Sequence, residues 1–537
     1  MSLQPDASRR NTDVIVVGAG PTGLVLALWL TRLGVRVRIV DRAPEPGTTS
    51  RAVVVHARTL ELYRQIGLAD AVVACGRRMD AVNLWTSGRH VARVVFGDMG
   101  EGISPFPYAL VYPQDEHERL LIDRLAGAGV EVERETELMT LEEAAGRVLV
   151  RFRRADGVSE ECEAAYVAGC DGAHSTVRQS LAIGFPGGTY SHLFYVADVE
   201  AHGAAMDGGL HAALDTTDFL AVFPMKGDGR ARLIGTLRRG IDVIEAVELA
   251  EDRHENLSWK DVSTRVIEWM RIDVQRVNWF STYRVHHRVA DRFRKGRAFL
   301  LGDAAHIHSP VGGQGMNTGI GDAVNLAWKL AAVLTGRADP SLVDSYEPER
   351  IAFARRLVAT TDRAFTAVTS NGPVARCVRL QIVPALAPMV FRFAPIRRFM
   401  FRTVSQTLLN YRGSPLSEGR AGAVWGGDRL PWVKTARSTR SGLSEPPGVP
   451  QDNFAPLASL DWQVHVYGNA APDIEAMCDA RKLPLHVFPW DRQAERTGLQ
   501  RDAVYLLRPD GYVALAVSRS SATAVAAYLD ARKLTHR

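Results

Sequence analysis

Gly302-Asp303-Ala304-Ala305-His306, running on through Pro310 to Gly312-Gly313-Gln314-Gly315-Met316-Asn317, is the stretch whose reading decides the fold. It follows a strand-like run, Ala298-Phe299-Leu300-Leu301, and precedes a helix-like run from Ile320 to Leu334. A strand, an acidic turn and a Gly-rich helix start together make a pocket for something polar and negatively charged. Far upstream, Gly18-Ala19-Gly20-Pro21-Thr22-Gly23 makes a first pocket of the same kind. Two such sites in this order suggest one long ligand held at both ends.

The first motif sits in a βαβ pattern. Val14-Ile15-Val16-Val17 reads as a buried parallel strand, Thr22 to Leu33 as a helix and Val35 to Val40 as the next strand. Gly18, Gly20 and Gly23 let the backbone turn sharply and approach a pyrophosphate at the helix N-terminus, where free N–H groups and the helix dipole favour an anion. Pro21 and Thr22 open that helix. Asp41, at the end of the next strand, is suited to accept hydrogen bonds from ribose hydroxyls, and Arg42 beside it joins the candidate binding set. This is a dinucleotide site, and alone it does not choose between NAD and FAD. A further turn, Gly169-Cys170-Asp171-Gly172-Ala173-His174-Ser175, follows a strand; Asp171 or Ser175 there serves equally well as a helix cap. Asp303 has the same bland alternative.

The chain has 537 residues, enough for two or three domains and a large core. A net charge of +5 is small for this length, and no Lys/Arg block tracks phosphates, which argues against a nucleic-acid partner. Cys75, Cys162, Cys170, Cys377 and Cys478 form no Cys-x-x-Cys pair, as expected of a cytoplasmic protein without disulfides or structural zinc. Residues 14–33 are apolar enough to imitate a signal peptide, but the glycine pattern within them is better explained by the strand-turn-helix unit. No segment requires a membrane, and residues 1–11 read as a polar tail.

Gln114 to Ala126 has Leu120, Leu121 and Leu125 at helical spacing, and Val148 to Arg153 and Glu161 to Val167 flank a hairpin turn at Asp156-Gly157. From about Thr189 to His287 the pattern changes to short strands of an antiparallel sheet, read as an inserted domain. A long helix is expected over Leu342 to Val368. Asn371 to Tyr411 is apolar, Pro-broken and punctuated by arginines, and reads as a helical connector; a membrane-surface segment is the sharper alternative. Ser438 to Asn453 reads as a loop. Trp462 to Tyr467, Leu485 to Phe488, Val504 to Leu507 and Val513 to Val517, then a final helix, have the order of a thioredoxin-like domain. Cys478 alone within it excludes dithiol exchange.

The three motifs, in this order and at these intervals, resemble the group A flavoprotein monooxygenases, the para-hydroxybenzoate hydroxylase family. The resemblance covers residues 13–370. It implies an α/β fold: a Rossmann-like FAD-binding domain (1–188 and 288–370) with an inserted antiparallel-sheet substrate domain (189–287), a helical connector (371–412) and a thioredoxin-like domain (413–537). The run Asn410-Tyr411-Arg412-Gly413-Ser414-Pro415-Leu416 is similar to the start of that last domain in the branch that includes phenol 2-hydroxylase, pentachlorophenol monooxygenase and polyketide hydroxylases. By position, the first motif would hold the ADP part of FAD. Asp171 and Gly172 would serve FAD and the nicotinamide cofactor. Gly302 and Asp303 would hold ribityl or pyrophosphate oxygens. Gly313, Gly315, Met316 and Asn317 would present backbone amides to the flavin ring. Arg51 and Gln114 stand where the family has flavin- or ribityl-contacting side chains. Pro310 would line the ring where oxygen reacts, and His308 is the nearest candidate to the substrate.

The resemblance further implies that NAD(P)H, a transient co-substrate, reduces FAD, that O2 gives a flavin C4a-hydroperoxide, and that this hydroxylates a phenolic or polycyclic aromatic substrate, mono-aromatic or polyketide. No general base is identifiable; His211, Tyr195, His286 and His287 in the insert, and His306, read as structural. Alternatives are Baeyer–Villiger-type oxygenation on the same fold and a non-catalytic flavin-binding redox sensor. The Trp spacing of flavin halogenases and the second nucleotide site of typical Baeyer–Villiger enzymes are absent from the sequence. A monomer and a homodimer are both compatible with it.

Overall fold

The computed structural model describes residues 11–47, 52–95, 97–214, 219–237, 257–369, 377–434, 452–518 and 521–535. Arg51 lies outside them, as do residues 371–376 of the connector and 438–451 of the expected loop.

The first sheet contains the strand Asn11–Val17, whose Val14, Ile15 and Val16 are fully buried. It pairs in parallel with Val37–Val40 on one side and with Ser159–Gly169 on the other, and Ser159–Gly169 pairs in parallel with Ala298–Leu300. The register places Val17 opposite Gly169 and Gly169 opposite Leu300. The three sequence motifs therefore leave the carboxyl ends of three neighbouring parallel strands, the edge where open α/β sheets bind ligands. The helix Pro21–Arg32 starts with Pro in its first turn and is buried from Gly23 to Leu30. It lies between this sheet and the long helix Gly315–Leu334, and both helices are buried over most of their length. The hairpin Arg147–Arg153 with Ser159–Gly169 forms at Asp156-Gly157 as expected.

The second sheet has eight strands. Gly187–Gly203 and Ile272–Val289 are its long pair, followed on one side by Arg230–Thr236, Phe219–Pro224 and Leu210–Leu214. It is wider than the 189–287 segment. Ala81–Thr86 joins in parallel with Leu210–Leu214, Arg89–Val95 forms the edge, and His306–Ile307 closes the other side. One face packs on Val266, Ile267 and Met270; the other faces the first domain.

The described part of the connector is helical: a π-helical turn, Val378–Ile382, runs into the α-helix Val383–Val390, and Ala394–Val404 follows. The C-terminal sheet runs, in spatial order, Val424–Trp425, Glu418–Ala421, Val513–Val517, Val504–Leu507, Gln463–Tyr467, Leu485–Phe488. The last two are parallel and joined through the helix Pro472–Arg481; Val504–Leu507 and Val513–Val517 form an antiparallel hairpin, and the helix Ala522–Ala531 follows. This unit is bound to the first domain by buried charge. Arg429 bridges to Glu61, Arg508 to Glu349, and Arg58 donates to the Asp510 carbonyl at 2.6 Å. Among the described residues no helix is long and apolar enough to cross a membrane.

Candidate functional site

A cavity of about 740 Å³ lies between the first domain, the second sheet and the connector. One end is the start of the helix Pro21–Arg32, with Gly20, Pro21 and Thr22 in its wall. Gly172, Asp303 and Gln114 line its middle. At the other end the loop His308 to Met316 forms the floor, and Leu210, Phe223 and Ile234 of the second sheet form an apolar roof. Met400, Phe401 and Val404 of the connector close one side.

The glycines of the first motif divide into two kinds. Gly18 has φ +102°, and a Cβ there would stand 2.3 Å from the Cys170 carbonyl oxygen, so the neighbouring strand end excludes any side chain. A Cβ on Gly20 would meet nothing within 4 Å. Packing of the protein against itself does not require glycine at that point; the bare backbone opens into the cavity. The Asp41 carboxylate accepts the Ala19 N–H at 2.7 Å and the Ala43 N–H at 2.8 Å, which pins the turn. Asp41 does not line the cavity wall, and Arg42 lies in a separate surface depression with Glu135, Glu137 and Arg153.

Asp171 is used as a helix cap. It accepts from the Ser175 hydroxyl at 2.5 Å and from the Val177 N–H at 3.1 Å, and burial raises its pKa above the ordinary carboxylate value. Its neighbour Gly172 reaches the cavity. Asp303 is exposed to the cavity at the end of Ala298–Leu300. Behind it, buried Asp322 accepts the Gly302 N–H at 3.0 Å and contacts His306 Nε2 at 2.7 Å. That makes His306 a support of the turn, as its sequence context suggested.

The loop after Pro310 is tied down by Asn317. Its side-chain oxygen accepts from the His56 N–H at 2.9 Å and from Thr59 at 2.8 Å; its amide donates to the carbonyls of Val54 and Gly313. The side chain is spent on the protein, leaving only its backbone N–H for a ligand. The helix Gly315–Leu334 starts here, so the first-turn amides of Gly315, Met316 and Asn317 have no intrahelical acceptor. Gly315 and Met316 line the cavity, which receives the positive end of a 20-residue helix.

His308 lines the cavity, with Nδ1 2.8 Å from the Ser309 carbonyl oxygen. That contact puts the proton on Nδ1. Nε2 is buried without a hydrogen-bond partner, and burial lowers the imidazole pKa to about 4. As packed, the ring is a neutral part of the cavity wall. His211 instead joins Asp207 and Trp85 beside the second-sheet core. Tyr195 is packed within that core, and the His287 ring meets Tyr190 in a tilted contact. His286 does line the cavity, with its Nδ1 2.8 Å from the Thr189 hydroxyl.

Several cavity residues had no sequence signal. His56, Met79, Tyr108, Tyr283 and Arg284 all contribute to its wall. They come from separate parts of the chain: His56 caps the helix Ala57–Gln65, Tyr108 precedes the strand Ala109–Val111, Met79 ends the strand Arg77–Met79, and Tyr283 and Arg284 lie together on Ile272–Val289. His56 Nε2 lies 2.8 Å from the Gly312 carbonyl, and burial lowers this ring to about 4 as well.

A cavity with an anion-binding helix start at one end, an acidic turn in the middle and a second helix start at the other defines a protein built around a long, polar-ended cofactor. The chain belongs to the FAD-binding-domain family, which matches residues 11–361. It is 35% identical, over 99% of its length and 95% of the relative's, to 6-methylpretetramide 4-monooxygenase of Streptomyces rimosus. It is 32% identical to pentachlorophenol 4-monooxygenase of Sphingobium chlorophenolicum, over 82% of this chain and 80% of that one. Among solved structures, the anhydrotetracycline hydroxylase OxyS of Streptomyces rimosus superposes with a TM-score of 0.75 at 28% identity, covering 97% of this chain and 99% of that one.

Proposed function

We propose that this protein is a FAD-dependent, NAD(P)H-consuming monooxygenase that places one oxygen atom on a phenolic or polycyclic aromatic substrate. The observation that carries this reading is the continuity of the cavity. It runs from the bare backbone of Gly20, past Asp303, to the helix start at Gly315–Met316, under an apolar roof.

Bound there, FAD supplies hydride acceptance and oxygen activation. The residues of the chain do the rest. The amides at the start of Pro21–Arg32 bind the pyrophosphate, with Gly20 allowing close approach. Asp303 accepts hydrogen bonds from ribityl hydroxyls. The amides of Gly315, Met316 and Asn317 donate to the polar edge of the ring and stabilise negative charge there. Pro310 packs beside the ring. Leu210, Phe223 and Ile234 exclude water and hold the flat apolar body of the substrate, while Tyr283 and Arg284 offer polar groups for its oxygens. The near-full-length relative acts on 6-methylpretetramide by its name, which supports a polycyclic phenol as the substrate class.

We further infer a thioredoxin-like fold for the C-terminal unit, supported by its parallel pair, antiparallel hairpin and closing helix, with a structural role since it holds only Cys478. A cytoplasmic location fits five cysteines that form no disulfide. The test of the function is direct: purified protein is expected to carry FAD, and NAD(P)H oxidation to rise when a suitable phenol is added. A preparation that takes up no FAD under reconstitution overturns the reading.

A further inference from the structure

The connector presents a face that the catalytic reading does not use. Its inner side meets the cavity through Phe401 and Val404. Its outer side is apolar: Met389, Phe393 and Phe399 are 55, 59 and 61% exposed. Of the fifteen exposed large apolar side chains among the described residues, ten lie between Val378 and Leu408. Val91 and Val95 extend the patch from the strand Arg89–Val95, against which the helix Val383–Val390 packs. Singly scattered apolar residues on a surface are ordinary; a concentration of this kind marks a contact surface.

Along the connector itself the charge has one sign. Between Arg363 and Glu418 the sequence holds seven arginines (376, 379, 392, 397, 398, 402 and 412) and neither Asp nor Glu. Arg392, Arg398 and Arg402 are exposed beside the apolar side chains. A second copy meeting this face through a two-fold axis would set arginine against arginine. An anionic bilayer surface satisfies both features: the aromatic and Met side chains enter the headgroup boundary and the guanidinium groups meet lipid phosphates. We propose that this face docks the enzyme on an anionic membrane surface, with the cavity wall on the opposite side of the same helix.

The test is co-sedimentation of the full-length, FAD-loaded protein with phosphatidylglycerol-containing vesicles and with pure phosphatidylcholine vesicles, at physiological salt. Two variants accompany it, Phe393→Asp/Phe399→Asp and Arg392→Gln/Arg398→Gln; none of these residues lines the cavity. Phe393 occupies the N-cap of the helix Ala394–Val404, where Asp is a favourable residue, so the first variant retains its helix. The expected result is pelleting with the anionic vesicles, at least roughly tenfold weaker partition to the neutral ones, and loss of pelleting in both variants. FAD content and NAD(P)H oxidation in solution should be unchanged. Absence of pelleting, or equal pelleting with both lipids, overturns the proposal. So does a wild-type dimer in sedimentation velocity that Phe393→Asp/Phe399→Asp dissociates, because the face would then join two copies.

Discussion

Asp322 holds Gly302. The carboxylate lies two turns into the helix Gly315–Leu334 and accepts the Gly302 N–H at 3.0 Å, fixing the turn that presents Asp303. The same carboxylate is held by Arg350 Nε at 2.5 Å, and Arg350 in turn donates to the Tyr411 hydroxyl at 2.8 Å. All three side chains are buried. A chain of hydrogen bonds thus runs from the start of the C-terminal region to the acidic turn of the cavity.

Removing Asp322 leaves Arg350 buried without its carboxylate. Breaking a buried pair from one side costs about 3–5 kcal/mol. Asp322→Ala is expected to lose that much in urea unfolding of the apoprotein, and Asp322→Asn less, because the amide oxygen still accepts from Gly302. Equal stability of Asp322→Ala and wild type would remove this account of the turn.

Asp303 makes the opposite prediction. It is exposed to the cavity, so Asp303→Ala should retain FAD poorly, with a loss of FAD affinity larger than any change in urea unfolding of the apoprotein. Loss of a hydrogen bond to a charged acceptor is worth about 1.5–3 kcal/mol, on the order of ten- to a hundredfold in Kd. Full flavin content after dialysis in the variant counts against its assigned role.

Gly20 and Gly18 separate cofactor fit from folding. Gly20→Ala places a methyl in open space, so the apoprotein should fold normally while FAD affinity falls by about tenfold or more. Gly18→Ala collides with the Cys170 carbonyl and should lower apoprotein stability itself. Intrinsic flavin fluorescence titrations on both apoproteins, beside their melting curves, check the pair. Unaltered FAD affinity in Gly20→Ala would mean that the pyrophosphate lies elsewhere.

Acid should weaken the fold at mildly low pH. Burial lowers His56, His308 and His486 to about 4 and His117 to about 3, against 6.5 when unfolded. Between those values the unfolded chain binds more protons than the folded one, so stability rises with pH there. It is complete above about pH 6.5 and is lost as pH falls towards 4, at about 1.4 kcal/mol per unit for each such ring. Urea midpoints measured from pH 7 to pH 4.5 should fall steadily. A flat profile across that window contradicts the neutral, buried state of these rings.

What the sequence made legible follows from what the chemistry needs locally. Gly18 to Gly23 and Gly302 to Asn317 could be read because a turn, a helix start and a bare backbone are written in consecutive residues. Asp41 and Asp171 were readable as acidic turn residues, but their partners were not. Only the folded turn shows that Ala19 and Val177 amides claim them. The apolar roof was harder. Leu210, Phe223 and Ile234 come from three strands, and the sheet recruits Ala81–Thr86 across a long stretch of chain, a pairing that no local pattern encodes. His308 shows the same limit: its position in the motif brought it to the cavity, while its orientation depended on the Ser309 carbonyl.

Oxygen transfer to an aromatic substrate is the central claim, and one measurement addresses it: product analysis under 18O2 with FAD-loaded enzyme, NAD(P)H and a panel of mono-aromatic and polycyclic phenols. At least one compound is expected to accelerate NAD(P)H oxidation and to be recovered as a phenol carrying one additional 18O atom, assigned by mass and NMR. If every compound leaves oxidation at its basal rate, or if oxidation yields hydrogen peroxide with no labelled product, the account is contradicted.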